Sequence, residues 1–398
     1  MATTGTMDLE GFKQAALSSI DEIVRYYENI TERRVVSSVK PGYLRELIPS
    51  KPPVKGEQWE DIQKDIETKI MPDWLAEMFN LPDTYRSSGT TLGGGVIHGT
   101  ASEAILTIMV AARDKYLREV TEGVPADRLD DAVAEARNRL VAFGSATTHS
   151  TAVMKARANG LTPFYLTASL GTTDCCAYDD FESIADVLHE VAPPGKGEVW
   201  VHVDAAYAGA ALVCPEYHHF TSQFHRFHSF NMNLHKWLLT DFDCSVTFVQ
   251  KRKHYIDAFS MTPPYLRNNY SESGLVTDYR DWQIPLGRRF RSLKVWFVIR
   301  TFGVKGLQEH VRKGIRHGDL FTHLVQDRSG AGLNDKNTLT EKVYTTINEE
   351  GRIYLTSTIL DGGIYAIRFC LSTPFVDEVH VRDAFKELVE TTERMLHT

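Results

Sequence analysis

Between Gly93 and Leu239 the chain repeats one pattern: a short apolar run, an abrupt break at a glycine or polar residue, then a helical stretch. The runs are Val96-Ile97, Leu140-Val141-Ala142-Phe143, Phe164-Tyr165-Leu166, Val199-Trp200-Val201-His202-Val203 and Ser229-Phe230-Asn231-Met232-Asn233. Strands alternating with helices pair in parallel, and a parallel sheet is covered on both faces. The pattern therefore restricts this part of the chain to an α/β sheet. In such sheets, ligands bind beyond the carboxyl ends of the strands.

The flanking regions read differently. From Asp8 to about Asn29, residues Phe12, Ala16, Ile20, Ile23, Val24 and Tyr27 fall at helical spacing, with Asp8 as N-cap. Turns follow at Pro41-Gly42-Tyr43-Leu44 and from Pro49 to Pro53, then a second helix from Gln58 to Ile70, ended by Pro72. This arm, residues 1–72, is too narrow to bury its own apolar stripe and must pack on something, a second subunit being one choice. The α/β domain is expected over 73–303. It includes a loop from Ser260 to Arg280 and an Arg-rich entry, Gly287 to Arg291, into a long helix reaching about Thr301. Residues 304–398 read as a small α+β domain: a helix from Thr338, strands at Arg352–Leu355 and Ile364–Phe369, and a final helix.

Composition narrows the partners. The 398 residues are 42% apolar and 24% charged, as in ordinary globular proteins, and the net charge of -8 argues against nucleic acid or an acidic membrane surface. No apolar run is long enough to span a bilayer, and Met1–Thr6 lacks the features of a signal peptide. Cys175, Cys176, Cys214, Cys244 and Cys370 are odd in number and form no CxxC, so reduced thiols, mostly in the core of a cytoplasmic protein, are expected. His218, His219, His225 and His228 match no structural zinc spacing and read as surface histidines, so no metal is expected. The lack of a GxGxxG after the first strand sets aside a dinucleotide fold.

The strand ends carry the chemistry. Thr100-Ala101-Ser102 opens a helix after a glycine run, which fits either ordinary N-capping or a phosphate site made from free N–H groups and hydroxyls. Asp204 closes an apolar strand and is followed by Ala205-Ala206; it is either half of a structural ion pair or a carboxylate that keeps a heterocyclic nitrogen protonated. His149 lies past the end of its strand, as a capping or core residue or as an aromatic cap for a ring. Gly171-Thr172-Thr173 offers hydroxyls or simply a turn. Lys236 sits between apolar segments, where it either snorkels to solvent or is desolvated into a nucleophilic amine. Together these supply a phosphate cradle, an acid for a ring nitrogen, a cap for a ring face and an amine for a Schiff base, the set that pyridoxal phosphate (PLP) requires.

On these residues the chain resembles the fold-type I PLP-dependent aromatic-L-amino-acid decarboxylases, the group of tyrosine, tryptophan and dopa decarboxylases. The matching stretches are Lys40–Leu44, Gly93–Ala104, His202–Gly209, Asn233–Trp237 and Asp281–Arg291. The resemblance implies that Lys236 bears the cofactor as a Schiff base, Asp204 pairs with the pyridinium nitrogen and His149 stacks on the ring. It implies that Ala206 and Thr173 pack against or bond to the cofactor. The helix start Thr100-Ala101-Ser102, with Asn233 and His235, would hold the phosphate, and Leu286 and Gly287 would approach it from the other subunit of a homodimer. Tyr265 matches the tyrosine that protonates Cα after loss of carbon dioxide; phenylalanine in its place marks the aldehyde synthases. The implied reaction converts tryptophan, 5-hydroxytryptophan, tyrosine or dopa to its amine. Gly287, where some relatives have serine, leaves room for an indole.

The chain also departs from the family. His98 stands where glutamine is common and Leu234 where animal members have proline. Stretches that the family carries are expected to be missing after Met71-Pro72, between Gly160 and Leu161, and near Ser329–Ala331. A shortened chain of this kind could instead be a catalytically silent homologue.

Overall fold

The computed structural model describes residues 9–32, 49, 51–65, 73–144, 159–191, 195, 197–261, 278–327 and 336–397. One compact unit comprises the described residues up to Gly171 together with Tyr178–Leu307; the other comprises Thr172–Ala177 and the described residues from Gln308 onward.

The first unit is built on a six-stranded sheet. Its strands are β1 (Gly94–His98), β2 (Leu140–Phe143), β3 (Thr162–Ser169), β4 (Trp200–Asp204), β5 (Ser229–Asn233) and β6 (Ser245–Val249), in the spatial order β1-β6-β5-β4-β3-β2. Every run singled out in the sequence is a strand, and β2 through β5 pair in parallel. The sequence reading passed over β6, which inserts between β1 and β5 and runs antiparallel to both. Its Ser-Val-Thr-Phe-Val stretch, like β5, alternates polar and apolar residues yet is buried throughout, because both faces of these central strands are covered. Helices Ala101–Val120, Phe181–Val191 and Lys253–Phe259 alternate with the strands. Ile108, Ala111 and Ala112 of the first meet Val96, Tyr165, Trp200, Val249, Tyr255 and Trp282 in one buried cluster.

Helix Leu9–Glu28 realises the amphipathic pattern near the N-terminus, yet none of its residues is buried within the chain. Phe12, Ile20, Ile23 and Tyr27 all lie exposed. Of the second expected helix, Trp59–Lys64 is observed, and the expected turn at 41–44 and N-cap Asp8 lie outside the described residues. A strap at 51–65 packs where the long helix Ser292–Gln326 breaks at Gly303, whose φ of 63° favours glycine. Val304 and Lys305 N–H groups donate to Pro53 and Val54 carbonyls at 2.9 and 3.0 Å, and a Cβ at Gly303 would overlap the Lys55 backbone. Arg300 secures the strap through Glu57 and, at 2.9 Å, Asp65.

In the second unit, helices Lys336–Glu350 and Glu378–Leu396 flank the antiparallel hairpin β7 (Thr356–Leu360) and β8 (Ile364–Arg368). The strand expected at Arg352–Leu355 is therefore shifted toward the C-terminus. The Asn348 amide explains it by bonding both the N–H and the carbonyl of Leu355, at 2.9 and 3.1 Å, so that residue has no backbone group left for a ladder. Val343, Ile347 and Leu355 form the small core.

The cysteines depart from expectation: Cys214 and Cys244 are buried, whereas Cys175, Cys176 and Cys370 are exposed. The histidines at 218, 219 and 225 bond local backbone carbonyls at 2.9–3.0 Å, on Leu212, Glu216 and Ser222, within a run of 3-10 turns. Among the described residues, no helix is long and apolar enough to cross a membrane.

Candidate active site

With β6 as the single reversed strand, β1 through β5 all point their carboxyl ends to one edge. Ser245, at the start of β6, pairs with His98 on one side and Asn233 on the other. This register sets the helix start after β1 beside the short helix Leu234–Trp237 after β5. Backbone bonds lock β3, β4 and β5 at the same edge: Leu170 N–H to Asp204 O at 2.8 Å, Ala205 N–H to Asn231 O at 3.0 Å, and Asn233 N–H to Ala206 O at 3.1 Å.

Lys236 is exposed, although Leu234 and Trp237 beside it are buried. A single helical turn sends those two side chains inward and Lys236 out over the edge, so the desolvation anticipated from its neighbours is not found within this chain. Trp237 stacks on Tyr207 with ring centroids 5.2 Å apart. Asp204 is half-buried, and its Oδ1 accepts the Ala206 N–H at 3.0 Å. No cation pairs with it among the described residues, so the structural ion pair lacks a second half there. Ala206 is buried against the same turn.

Thr100 is an N-cap: its hydroxyl oxygen accepts the Glu103 N–H at 3.2 Å, while the Glu103 carboxylate reaches back to the Gly99 N–H at 2.9 Å. Ala101 and Ser102 occupy the first turn, where N–H groups have no intrahelical acceptor, and the Ser102 side chain is exposed. His235 Nδ1 accepts the Cys244 N–H at 2.8 Å, which places the ring proton on Nε2; burial pushes its pKa down, making the ring a neutral donor. Asn233 is buried, and its Oδ1 has no partner among the described residues.

Thr173, Leu286 and Gly287 are exposed. Thr173 lies in the 172–177 segment, which belongs to the second unit. Its neighbour Thr172 closes a turn, accepting the Ala177 N–H at 3.0 Å. Leu286 and Gly287 lie in an exposed stretch, and Leu286 lines a recess with Asp278, Arg280, Arg288, Arg289 and Phe290. His149 and Tyr265 lie outside the described residues.

The sequence reading missed a pair that braces the edge. Arg291 grips Asp243 with two bonds, 2.8 and 3.2 Å, and that guanidinium pushes the Asp243 carboxyl down to about 2. A side chain at Gly99 would meet Asp243, Glu103 and Arg291, so the pair abuts the turn that opens the helix. The only signal in the sequence was the Arg-rich run before Ser292.

A lysine amine, a carboxylate and an open helix start at one edge of a mainly parallel sheet are the outfit of a PLP enzyme. The chain belongs to the pyridoxal-dependent decarboxylase family: the model of its conserved domain matches residues 69–152 and 148–344. The chain is 33% identical to the aromatic-L-amino-acid decarboxylase of Cavia porcellus over 486 aligned positions, covering 98% of this chain and 99% of that one. It is 34% identical to tyrosine decarboxylase 2 of Narcissus pseudonarcissus, over 96% of this chain and 93% of that one. Because 486 positions exceed the 398 residues of the chain, the Cavia alignment includes internal stretches that this chain lacks. Among solved structures, that of Oryza sativa TDC with PLP and tryptamine aligns with a TM-score of 0.73 and 28% identity, over 99% of this chain and 100% of that one. Catharanthus roseus tryptophan decarboxylase in complex with L-tryptophan gives 0.70 and 28%, over 98% and 99%.

The residues present suit the cofactor. The helix start, the Ser102 hydroxyl and the neutral His235 are donors for a phosphate, and Asp204 is a carboxylate without a cation. Lys236 presents an accessible amine.

Proposed function

We propose that this chain decarboxylates an aromatic L-amino acid to the corresponding amine and carbon dioxide. The observation that carries the reading is the placement of Lys236, Asp204 and the Ala101-Ser102 helix start on one strand edge, in a chain with the family match above. When bound, PLP supplies an electron sink for the pair left on the substrate Cα as the carboxylate departs. Lys236 holds the cofactor covalently through its amine. Asp204 holds a proton on the ring nitrogen, and its charge counts most when the ring must accept electrons. Ala101 and Ser102 amides, the Ser102 hydroxyl, Asn233 and His235 hold the phosphate, with Thr100 fixing the turn. By the same assignment His149 would cover the ring face, and Ala206 and Thr173 would contact the cofactor. Tyr265 delivers a proton to the substrate Cα.

The proposal includes a cytoplasmic homodimer, with residues 1–72 as an arm on the partner, 73–303 as the cofactor domain and 304–398 as a C-terminal domain. The unburied apolar residues of helix Leu9–Glu28 and the exposed Leu286-Gly287 stretch favour such an assembly. Glycine at 287, where some relatives have serine, favours an indole substrate. The test is to supply PLP with L-tryptophan, 5-hydroxy-L-tryptophan, L-tyrosine and L-dopa in turn, and to identify the products. Amine and carbon dioxide in equal amounts are expected. Aldehyde with ammonia, or no turnover of any of the four, would refute the reading.

A further inference from the structure

Behind Asp204 lies a fully buried histidine that the mechanism above does not use. His202 precedes Asp204 by two residues on β4, so both side chains leave the same face of the sheet. It has no access to solvent. Its Nδ1 lies 2.9 Å from Ser229 Oγ and its Nε2 lies 2.7 Å from Asn231 Oδ1, both on β5. Trp200 Nε1 donates to the same Ser229 oxygen at 2.8 Å.

The direction of these bonds follows from what each atom can do. An indole N–H only donates, so the Ser229 oxygen accepts from Trp200 and its own proton must go elsewhere. The acceptor within reach is His202 Nδ1. That leaves the ring proton on Nε2, facing a carbonyl oxygen that only accepts. The relay therefore runs Trp200 to Ser229 to His202 to Asn231, and it strands only the Asn231 Nδ2. Reversing it would strand both the Ser229 proton and the Asn231 oxygen. A second proton on the imidazole would reverse the Ser229 bond and strand the Ser229 proton.

We infer that His202 is a positioning residue for Asp204: the relay holds it as the neutral Nε2–H tautomer, so that Asp204 keeps its charge for the cofactor ring nitrogen instead of sharing it with an imidazolium behind it. This rests on the role given to Asp204 above. Among the described residues, the ionisable groups facing the ring are Asp204 itself and Tyr165 on β3, whose ring stacks at 6.4 Å. From β5 come only the neutral Ser229 and Asn231. Burial, the largest influence, pushes the His202 pKa down to about 4 despite the nearby Asp204. Burial raises the Tyr165 phenol far above neutrality, with Asp204 adding to the rise, so neither neighbour of Asp204 is charged at neutral pH.

The test compares the full chain with His202→Gln and His202→Leu. In histidine side-chain nitrogen NMR of the cofactor-free protein, the signal lost in both variants should be a neutral Nε2–H imidazole that does not titrate between pH 5.5 and 8. A lost signal that titrates near 6.5, or an Nδ1–H tautomer, would overturn the inference. In a PLP titration followed by visible absorbance, glutamine, neutral and able to donate to Asn231, should keep the affinity within about threefold. Leucine, equally neutral, should also leave Asp204 its charge and keep the affinity within about threefold. A loss of about tenfold or more in the leucine variant would show that His202 acts by packing and would also overturn it. If the parent gave no cofactor band at all, the decarboxylase reading would fail, and the NMR result would still decide the tautomer.

Discussion

Replacing Lys115 with methionine probes the frame that carries the site. Lys115 lies in the helix whose other end opens at Thr100, and Glu198 lies just before the strand that ends at Asp204. The nearly buried ammonium contacts Glu119 at 2.9 Å and Glu198 at 3.1 Å. Glu198 also meets His228 Nε2 at 3.0 Å, and Glu119 accepts the Gly197 N–H at 3.2 Å. Removing one partner from a buried ion pair costs about 3–5 kcal/mol, because the other charge stays behind. Here two carboxylates would face each other, but both keep some contact with water and Glu198 keeps His228. Methionine also refills most of the lysine stem. The expected loss is therefore about 2–3 kcal/mol, or roughly 5 °C in thermal midpoint at about 2 °C per kcal/mol for a large chain.

The pH dependence makes the test sharper. Burial works to raise the Glu198 pKa, yet His228 and Lys115 together hold it well below the ordinary 4.5. A depressed carboxylate contributes stability that is present above its unfolded value and is lost as pH falls through the native one. The gap between parent and Lys115→Met should thus be widest above pH 5 and narrow below 4.5, as the variant's carboxylates take up protons. Thermal unfolding followed by circular dichroism across that range reads it directly. A variant as stable as the parent at pH 7, or a gap that does not change with pH, would refute the electrostatic account. Replacing Lys115, Glu119 and Glu198 together with neutral isosteres should recover most of the loss.

Lys236→Ala should abolish the borohydride-reducible visible band of the PLP-loaded protein; a band that persists would remove the lysine from its assigned role. Tyr265→Phe should shift the product from amine toward aldehyde, read by mass spectrometry of the reaction mixture, and release of amine at the parent rate would end the proton-donor assignment. Gly303→Ala, forced into positive φ and against the Lys55 backbone, should cost at least about 1–3 kcal/mol in thermal denaturation. An unchanged midpoint would mean the strap at 51–65 yields easily.

What could be read from the sequence was whatever a short stretch carries by itself. Strand ends announce themselves where an apolar run meets Asp204 or Asn233, and the helix start at Thr100 follows from a glycine run and a capping pair. What escaped depended on neighbours distant in the chain. β6 alternates over only five residues, Ser-Val-Thr-Phe-Val, and its reversed direction follows from a pairing with β1 that spans about 150 residues. The shift of β7 hinged on one amide of Asn348. The apolar sequence neighbours of Lys236 left open whether it snorkels to solvent or is desolvated, because on a helical turn adjacent residues face different ways. His202 sat in plain view beside Asp204, yet the direction of its relay needs Ser229 and Asn231 from another strand.

The reversed strand has a consequence of its own. The helix start after β1 and the lysine turn after β5 are separated by a single strand, so the interval between them is two strand spacings, roughly 10 Å, gauged by main-chain pairing alone. No side chain enters into that measure. Mutations along β6 can therefore change the polarity of the floor, where the Ser245 and Thr247 hydroxyls lack partners among the described residues, without altering the gauge that keeps the two ends of the site apart. Evolution is free to retune one while the other stays fixed.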